Sequence, residues 1–463
     1  MSLTSVHPVD FEPSLIGDST YASRRRHTRF DTAAWLGFML VLLYVLPGEV
    51  IVPNMTYAGR PALLLSLMLC CWWMMTRLNP RLAMTGPQPV RWAVFAYFTT
   101  LLISYLAGLI RGLTGVESNA QNFAMLAALE FVGVILLAAD GIGNWERLKL
   151  VLQVYVVTAG FMAMVAMVQA FLKFDLAHYL TLPGLEFKGG LVGFERRGPG
   201  AENQFRVAGT AQHYIEFSVC MAMAAPFALH LARFAEAKWQ RRGFAVVAGM
   251  CAAAIPISIS RTGILALALA VLVMFPMWSW RIRYNLIILG MGLVGAIAVA
   301  KPGVLGTLRS LFFAGSEDPS VQGRLLDYTF VNHWFAQRPI LGRGPRTLVP
   351  ELYGGIVLDN QWLYTLVTGG IVGVLALAAL HITGITLAGI ALRRSTREED
   401  RHLCSALIAS QVIALVVAVT FDSMYYTSYT STLALLLGFC GAVWRFTHPA
   451  RTIRTLAVRR RAD

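Results

Sequence analysis

Ser258-Ile259-Ser260-Arg261-Thr262-Gly263 joins two apolar runs, near 243–259 and 263–278, with almost no polar linker between them. An arginine this close to membrane-spanning sequence is costly to bury unless it is paired or faces a polar cavity. One role for Arg261 is an anchor whose side chain extends to the membrane surface. The other is a clamp for a phosphate or diphosphate, which the planar and permanently charged guanidinium binds through two hydrogen bonds.

Apolar runs of this kind recur along the whole chain of 463 residues. Hydrophobic residues make up 56% of it and charged residues 14%, well below the roughly one quarter typical of soluble domains. A helix needs about 20 apolar residues to cross the hydrocarbon core. The runs lie near 33–52, 61–76, 91–110, 122–139, 148–172, 214–235, 243–259, 263–278, 284–300, 361–390, 403–421 and 429–446. We therefore predict an all-α polytopic transmembrane bundle of about 12 spans, or of ten or eleven if the pair around Arg261 is one broken segment.

The predicted division of the chain is an N-terminal tail at 1–32, one integral membrane domain at 33–446 and a basic tail at 447–463. No small-residue cleavage site follows the first apolar run, so we expect an uncleaved span there and not a secretory signal. The six cysteines lie in or beside apolar runs, without the spacing of a metal site or a disulfide framework.

The distribution of basic residues orients the predicted bundle. With a basic N-terminus inside, 25 of the 39 Lys and Arg residues fall on the cytoplasmic side, as the positive-inside rule requires. Of the other 14, 11 lie in two outer loops, at about 173–213 and 301–360, the second of which joins spans 9 and 10. Both termini are then cytoplasmic, and the second loop is the predicted lid over an extracytoplasmic site. The clustered charge indicates either solvated loops or a polyanionic substrate such as a lipid diphosphate.

The formal net charge of +14 does not predict nucleic-acid binding. The basic residues sit in short linkers and form no continuous patch with interleaved aromatic residues. We also find no Asp-x-Asp pair, no Cys/His metal spacing, no Gly-x-x-x-x-Gly-Lys and no Gly-x-Ser-x-Gly motif. Metal-dependent glycosyl transfer, NTP hydrolysis and serine-hydrolase chemistry are therefore disfavoured, and we expect neither a metal nor a cofactor.

Candidate polar residues flank the sixth predicted span. Arg206, His213 and Glu216 place a cation, an imidazole and a carboxylate near its outer end. Taken alone, His213 fits a hydrogen-bonding residue at the membrane interface, and Glu216 fits a partner for a loop arginine better than a base.

The second outer loop holds another group. Gly323-Arg324 opens an amphipathic stretch that reaches Gln337, and a Gly342-Arg343-Gly344-Pro345 turn follows it. The loop ends at Asp359-Asn360, where the tenth span begins. Asp359 fits either a helix N-cap or a carboxylate that accepts the proton of an acceptor hydroxyl.

In their order and spacing these motifs resemble the bacterial O-antigen ligase and O-antigen polymerase superfamily, over about residues 200–380. The resembling parts are Arg206-x-x-Gly-Thr-x-x-His213, Ser-Arg261-Thr-Gly, Gly-Arg324 leading to Pro-Ile-Leu-Gly342-x-Gly344, and Asn360 followed by Thr368-Gly369-Gly370-Ile371-Val372-Gly373. At the position of Asp359-Asn360, the ligases that this chain resembles have His-Asn.

The resemblance implies a membrane glycosyltransferase in the bacterial cell membrane. It would transfer a glycan from an undecaprenyl-diphosphate donor to a glycan, lipid or protein acceptor in surface polysaccharide biosynthesis, within a possible envelope assembly complex. It implies that Arg206 and Arg261, supported by Arg324, bind the diphosphate. Asp359, or otherwise His213, is then the expected base. Glu216, Asn360 and Arg343 are the expected supporting residues.

Two alternatives come from other functional classes. A transporter or flippase for a lipid-linked glycan or another anionic solute would also explain an outward basic lining. It predicts symmetric halves with paired broken helices, and the sequence shows no such symmetry. A non-catalytic scaffold of an envelope-assembly complex is the second alternative.

The clamp hypothesis predicts the effect of Arg261→Lys. The substitution keeps the positive charge but loses the planar pair of donors, so we expect a sharp fall in glycan transfer with unchanged expression. The measurement is transfer from a lipid-diphosphate glycan by purified protein. Wild-type turnover in this variant would argue against a clamp.

Overall fold

The computed structural model describes residues 31–55, 58–78, 87–188, 195–196, 205–300 and 319–449, and this part of the chain is mostly helical. Its helices are α1 (Thr32–Val45), α2 (Pro61–Arg77), α3 (Pro89–Arg111), α4 (Gly115–Gly141), α5 (Trp145–Leu172), α6 (Tyr214–Phe234), α7 (Lys238–Ile257), α8 (Arg261–Met274), α9 (Trp280–Ala300), α10 (Pro319–Gln337), α11 (Gln361–Arg394), α12 (Glu398–Val417) and α13 (Thr427–Phe446). Strand β1 (Val50–Ile51) pairs antiparallel with β2 (Glu186–Phe187), and β3 (Glu195–Arg196) pairs antiparallel with β4 (Phe205–Arg206).

Each predicted apolar run coincides with one of these helices, and α10 is the helix of the second loop. Within the described residues, seven helices are long and apolar enough to cross a membrane, namely α3, α4, α5, α6, α11, α12 and α13. The predicted all-α membrane class is therefore confirmed, whereas the count of about 12 spans stays a prediction. Both predicted tails fall almost entirely outside the described residues, as do residues 301–318 of the second loop.

The first predicted run, 33–52, is wrong at its end. Helix α1 stops at Val45, with Leu46 in extended backbone, and Val50–Ile51 forms strand β1. The reason is Pro47, which disfavours helical backbone at the preceding residue. This strand pairs with β2 and joins the first outer loop to the bundle.

Two helices lie at the centre of the bundle. Helix α13 is buried along its whole length and α6 along most of it, whereas 28% of the most apolar stretch of α3 and 33% of that of α11 are buried. A Cβ atom on Gly438 of α13 would lie 2.4 Å from Ala138 Cβ of α4. Small residues thus let these two helices approach closely, as in other membrane bundles.

Helix α11 is broken at Gly370, whose φ is 66° and ψ is −169°. The segment Pro339–Arg346, which we call the docking turn, fits into this break through four backbone hydrogen bonds. The N–H groups of the docking turn reach the carbonyl oxygens of Val367 (3.1 Å) and Thr368 (3.0 Å), and its carbonyl oxygens accept from Ile371 N (2.9 Å) and Val372 N (3.3 Å). Backbone groups freed at membrane depth must find partners inside the protein, and the docking turn supplies them.

Only glycine fits at the point of closest approach. A Cβ atom on Gly370 would lie 2.1 Å from the Ile340 carbonyl oxygen, and one on Gly342 would lie 2.3 Å from the Thr368 carbonyl oxygen. Both residues have positive φ, at 66° and 71°.

Gly370→Ala tests this junction. We expect it to lower the free energy of unfolding by about 1–3 kcal/mol, since alanine is strained at positive φ and its methyl group meets the docking turn. Gly389→Ala in the same helix is the control, because a Cβ there meets nothing within 4 Å. Thermal unfolding in detergent compares the two; equal midpoints would contradict the proposed fit.

Candidate functional site

His213 caps the N-terminus of α6 at the end of the bundle that carries both outer loops, which we call the loop end. Its Nδ1 atom accepts a hydrogen bond from Ile215 N (3.3 Å), so the neutral ring carries its proton on Nε2. The ring stacks on Tyr426 at 5.5 Å between centroids. Burial, and then the nearby Arg206, lowers the pKa of His213 to about 4. A base works best with a pKa near the working pH, so this environment disfavours His213 as the base.

Arg206 lies beside His213, at the end of strand β4. Its guanidinium sits over the ring of Tyr214, at 4.4 Å from the centroid, and Nη1 donates to the Tyr214 hydroxyl. Nε of Arg206 is buried and has no hydrogen-bond partner within the described residues. A buried donor without a partner is costly, and Arg77 and Arg343 also each have one among the described residues.

Glu216 is fully buried in the first turn of α6 and binds backbone groups. Its carboxylate accepts from Ser428 N (2.7 Å), Tyr429 N (3.3 Å) and Gln212 N (2.9 Å). Glu216 also lies in electrostatic range of Arg60, and its pairing with a loop arginine stays a prediction. The carboxylate sits at the N-terminus of α13, where negative charge is favoured, and it joins α6 to α13.

Arg261 is the first residue of α8, after a tight turn from α7. Ile259 in this turn has φ 54°, a rare conformation for a β-branched residue, and Ser260 Oγ caps the helix by accepting from Gly263 N (3.1 Å). A Cβ atom on Gly263 would lie 2.4 Å from Ser218 Cβ of α6. The N-terminus of α8 therefore packs on the first turns of α6, the helix that His213 caps.

Asn360, and not Asp359, forms the cap that the sequence allowed at the start of α11. Asn360 is the N-cap of α11, since its Oδ1 accepts from Trp362 N (2.9 Å) and Leu363 N (3.1 Å). Asp359 is exposed and lies within electrostatic range of Asp422 and Tyr426. Burial, and then the Asp359 charge, raises the pKa of Asp422 to about 7.

A cleft opens beside these carboxylates, with an empty volume of about 920 Å³ including its open mouth. Asp422 and Arg346 stand among the residues that line it, whereas Arg206 and Arg261 do not. The Arg346 guanidinium lies between the rings of Phe123 (4.7 Å) and Tyr425 (4.6 Å), and its Nη2 donates to Tyr425 O (3.1 Å). Its φ of 56° is uncommon for a residue other than glycine. Burial lowers the pKa of Arg346.

Arg343 of the docking turn contacts other residues of the second outer loop. Its buried guanidinium lies 4.0 Å from the Trp334 ring centroid and donates to the Tyr353 hydroxyl (3.1 Å) and Gln337 Oε1 (3.4 Å). These contacts join α10 to the docking turn. Arg324 belongs to α10, and its side chain lies outside the described residues.

Charge is paired differently at the two ends of the bundle. At the end away from the loops, Arg77 and Arg91 bind Asp140, Arg147 binds Asp31, Lys149 binds Glu399 and Arg233 binds Glu398. At the loop end, Arg111 binds Glu117. Arg60, Arg206 and Arg346 instead contact hydroxyl groups, a backbone carbonyl or aromatic rings.

The structure thus brings Arg206, His213 and Glu216 together, with Asp359 in electrostatic range of Tyr426 beside them. It adds Asp422, Arg346 and Tyr426, which sequence reasoning did not select. The signals for two of them were weak: Asp422 was an acid at the edge of a span, and Arg346 followed the glycine-rich turn.

Comparison with known families bears on this arrangement. Residues 244–378 match the family model for O-antigen ligase. The matched segment contains α8 with Arg261, the docking turn and the break in α11, so the predicted resemblance to the O-antigen ligase and polymerase superfamily is confirmed there. No curated protein gives a significant sequence match to the chain. At family level the match supports a membrane glycosyltransferase of the O-antigen ligase type, in a family whose members are ligases or polymerases.

Glu216→Gln tests the structural role of this carboxylate. One of its two acceptor oxygens becomes an amide NH2 group that faces a backbone N–H, so we expect the free energy of unfolding to fall by about 1–3 kcal/mol. Glu236→Gln, at an exposed position, is the control. If both variants unfold at the same temperature in detergent, the carboxylate does not hold α6 to α13.

Proposed function

We propose that the protein transfers a glycan from an undecaprenyl-diphosphate donor to an acceptor hydroxyl at the extracytoplasmic face of the cell membrane, in surface polysaccharide biosynthesis. The proposal rests on the charged residues that the structure places at the loop end. There, the guanidinium groups of Arg206 and Arg346 contact hydroxyl, carbonyl and aromatic groups of the described residues. They lie at the same end of the bundle as Asp359 and Asp422, within and next to the segment that matches O-antigen ligase.

The proposed topology is that of the positive-inside rule. About 12 spans would leave both termini in the cytoplasm and the two long loops outside, with residues 301–360 as the lid. The distribution of the 39 Lys and Arg residues, 25 of them on the side assigned to the cytoplasm, supports it.

The donor diphosphate is proposed to bind at Arg206 and Arg261, with Arg324 as a third cation. The positive charge at this proposed site comes from the guanidinium groups of Arg206 and Arg261 and from the N-terminus of α8. Negative charge grows on the diphosphate as the glycosidic bond breaks, and fixed cations stabilise it; losing one such donor group costs roughly 10²–10³ in rate. This chemistry requires no metal or nucleotide, because the lipid diphosphate is already an activated leaving group.

The base is proposed to be the pair Asp359 and Asp422. One carboxylate takes the proton of the acceptor hydroxyl while the acceptor oxygen bonds to the anomeric carbon. The bond from that carbon to the diphosphate oxygen breaks, and undecaprenyl diphosphate leaves. Attack on the face opposite the leaving group inverts the anomeric configuration. His213 is given the role of holding α6 and Tyr426 in place.

The broken helix α11 is the feature that favours the alternative, a transporter or flippase, since such proteins use discontinuous helices at their sites. In this chain, however, the backbone groups freed by the break bind the docking turn. The break therefore anchors the proposed lid, which supports the transferase. Incubating purified protein in vesicles with a lipid-diphosphate glycan separates transfer, transport without cleavage, and neither.

Asp422→Asn tests the base. Because Asp422 must be ionised to accept a proton, wild-type transfer should rise as the pH passes through about 7 and then level off. The variant should lose about 10²–10⁴ in rate together with that rise, and Asp359→Asn should also lose transfer. His213→Asn keeps a capping side chain and should retain most activity and the same pH profile. An unchanged profile in Asp422→Asn, or loss of transfer in His213→Asn alone, would contradict this assignment.

A further inference from the structure

Helix α7 begins with three exposed cations at the end of the bundle away from the loops. They are Lys238, Arg241 and Arg242, and we call them the basic face. Arg241 and Arg242 follow Lys238 by three and four residues, so the three side chains share one side of the helix. Arg233, shortly before them in the chain, pairs with Glu398 at the start of α12, which locates this end of α7.

The basic face has no acidic partner in the described part of the chain. The sequence contains no Asp or Glu from 237 to 316. Within the described residues no ion pair involves Lys238, Arg241 or Arg242, and Arg241 Nε donates to the Ala235 carbonyl oxygen (2.6 Å). In contrast, cations of α2, α3, α5 and α6 at the same end pair with carboxylates. An anion from the surroundings fits the basic face.

The position of the basic face in α7 strengthens its attraction for an anion. The N-terminus of a helix carries partial positive charge and favours acidic side chains. Helix α12 starts at the same end of the bundle and has Glu398, Glu399 and Asp400 in its first turn, whereas the first turn of α7 has no acid. The three cations of α7 therefore repel one another and the helix dipole, and a bound anion relieves this repulsion.

An open apolar surface continues from the basic face toward the middle of the bundle. Ala245 and Gly249 follow Lys238 by seven and eleven residues, so they lie on the same side of α7. Ala245 is exposed, and a Cβ atom on Gly249 would meet nothing within 4 Å. Trp239 and Val246 beside them are 75% and 62% exposed, and tryptophan is enriched where a membrane meets water. An anion that carries a hydrocarbon chain fits this surface better than a free phosphate does.

We infer that this side of α7 binds an anionic phospholipid of the membrane leaflet at the end away from the loops. The basic face holds the phosphate of the head group, and one acyl chain lies along Ala245 and Gly249. The inference is independent of the proposed transferase. In the proposed topology the lipid belongs to the cytoplasmic leaflet, opposite the face where glycan transfer is proposed.

The probe is a phosphatidylglycerol with a diazirine in one acyl chain, added to purified full-length protein in phosphatidylcholine nanodiscs. After illumination, peptide mapping should place saturable label on α7. The double variant Lys238→Gln/Arg242→Gln should weaken binding of the probe by about 25-fold, about fivefold for each cation. Arg281→Gln/Arg393→Gln removes two other exposed cations and is the control. It should weaken binding by less than about twofold, because salt screens distant charges.

A second pair of variants tests the apolar surface without touching the charges. Gly249→Leu fills the space assigned to the acyl chain and should weaken binding by at least about fivefold. Gly290→Leu in α9 is the matched control, because a Cβ there also meets nothing within 4 Å. Leucine has a higher helix propensity than glycine, so both variants should fold.

Competition identifies the ligand. Unlabelled phosphatidylglycerol should displace the probe, whereas excess inorganic phosphate and undecaprenyl diphosphate should not. Displacement by undecaprenyl diphosphate would make this a site for the carrier lipid and overturn the inference. Equal labelling of the two double variants would reduce the site to diffuse contact with the bilayer. Absence of saturable labelling would leave the basic face to an acidic protein and equally overturn the inference. Failure of the transferase proposal would instead appear as absent glycan transfer with labelling intact.

Discussion

The arrangement of the loop end depends on four backbone hydrogen bonds between the docking turn and the break in α11. A helix inside a membrane can be interrupted only where protein groups replace the lost backbone partners. The docking turn does this, and in return the break fixes a turn that would otherwise be a surface loop. Arg343 then ties α10 to the turn through Trp334 and Tyr353. The same turn brings Arg346 to the mouth of the cleft in a left-handed conformation.

Buried charge follows a second constraint. A charge inside a membrane protein must be paired or must face a polar space. At the end away from the loops, Asp140 pairs with Arg77 and Arg91. At the loop end the buried carboxylate of Glu216 accepts hydrogen bonds from three backbone N–H groups. The guanidinium of Arg206 is held by an aromatic ring and a hydroxyl and keeps a buried donor without a partner among the described residues.

The sequence predicted the helices well because each is a long apolar run, and it failed where local backbone chemistry decides. Pro47 ends α1 early, and the N-cap of α11 is Asn360, whereas the sequence allowed either a cap or a base at Asp359. The partners of Glu216 could not be predicted, since Ser428 and Tyr429 lie more than 200 residues away. The residues that line the cleft come from separate helices, so no local sequence motif could predict it. Arg261, the first residue of α8, was selected because an arginine between two apolar runs is unusual, and its role stays a prediction.

Tyr426 links the two halves of the candidate site. Its ring stacks on His213, next to Arg206, and it lies within electrostatic range of Asp422 and Asp359. Glu216 fixes this tyrosine indirectly, because it binds the first turn of α13 directly after it. A single displacement needs the leaving group and the attacking hydroxyl on different sides of one carbon. In the proposed reaction, Arg206 of β4 and Arg261 of α8 bind the leaving group, and the carboxylates beside α11 and α13 act on the attacking hydroxyl. Glu216 touches neither substrate in this proposal. It joins α6 to α13 and so sets the distance between the cations and the carboxylates.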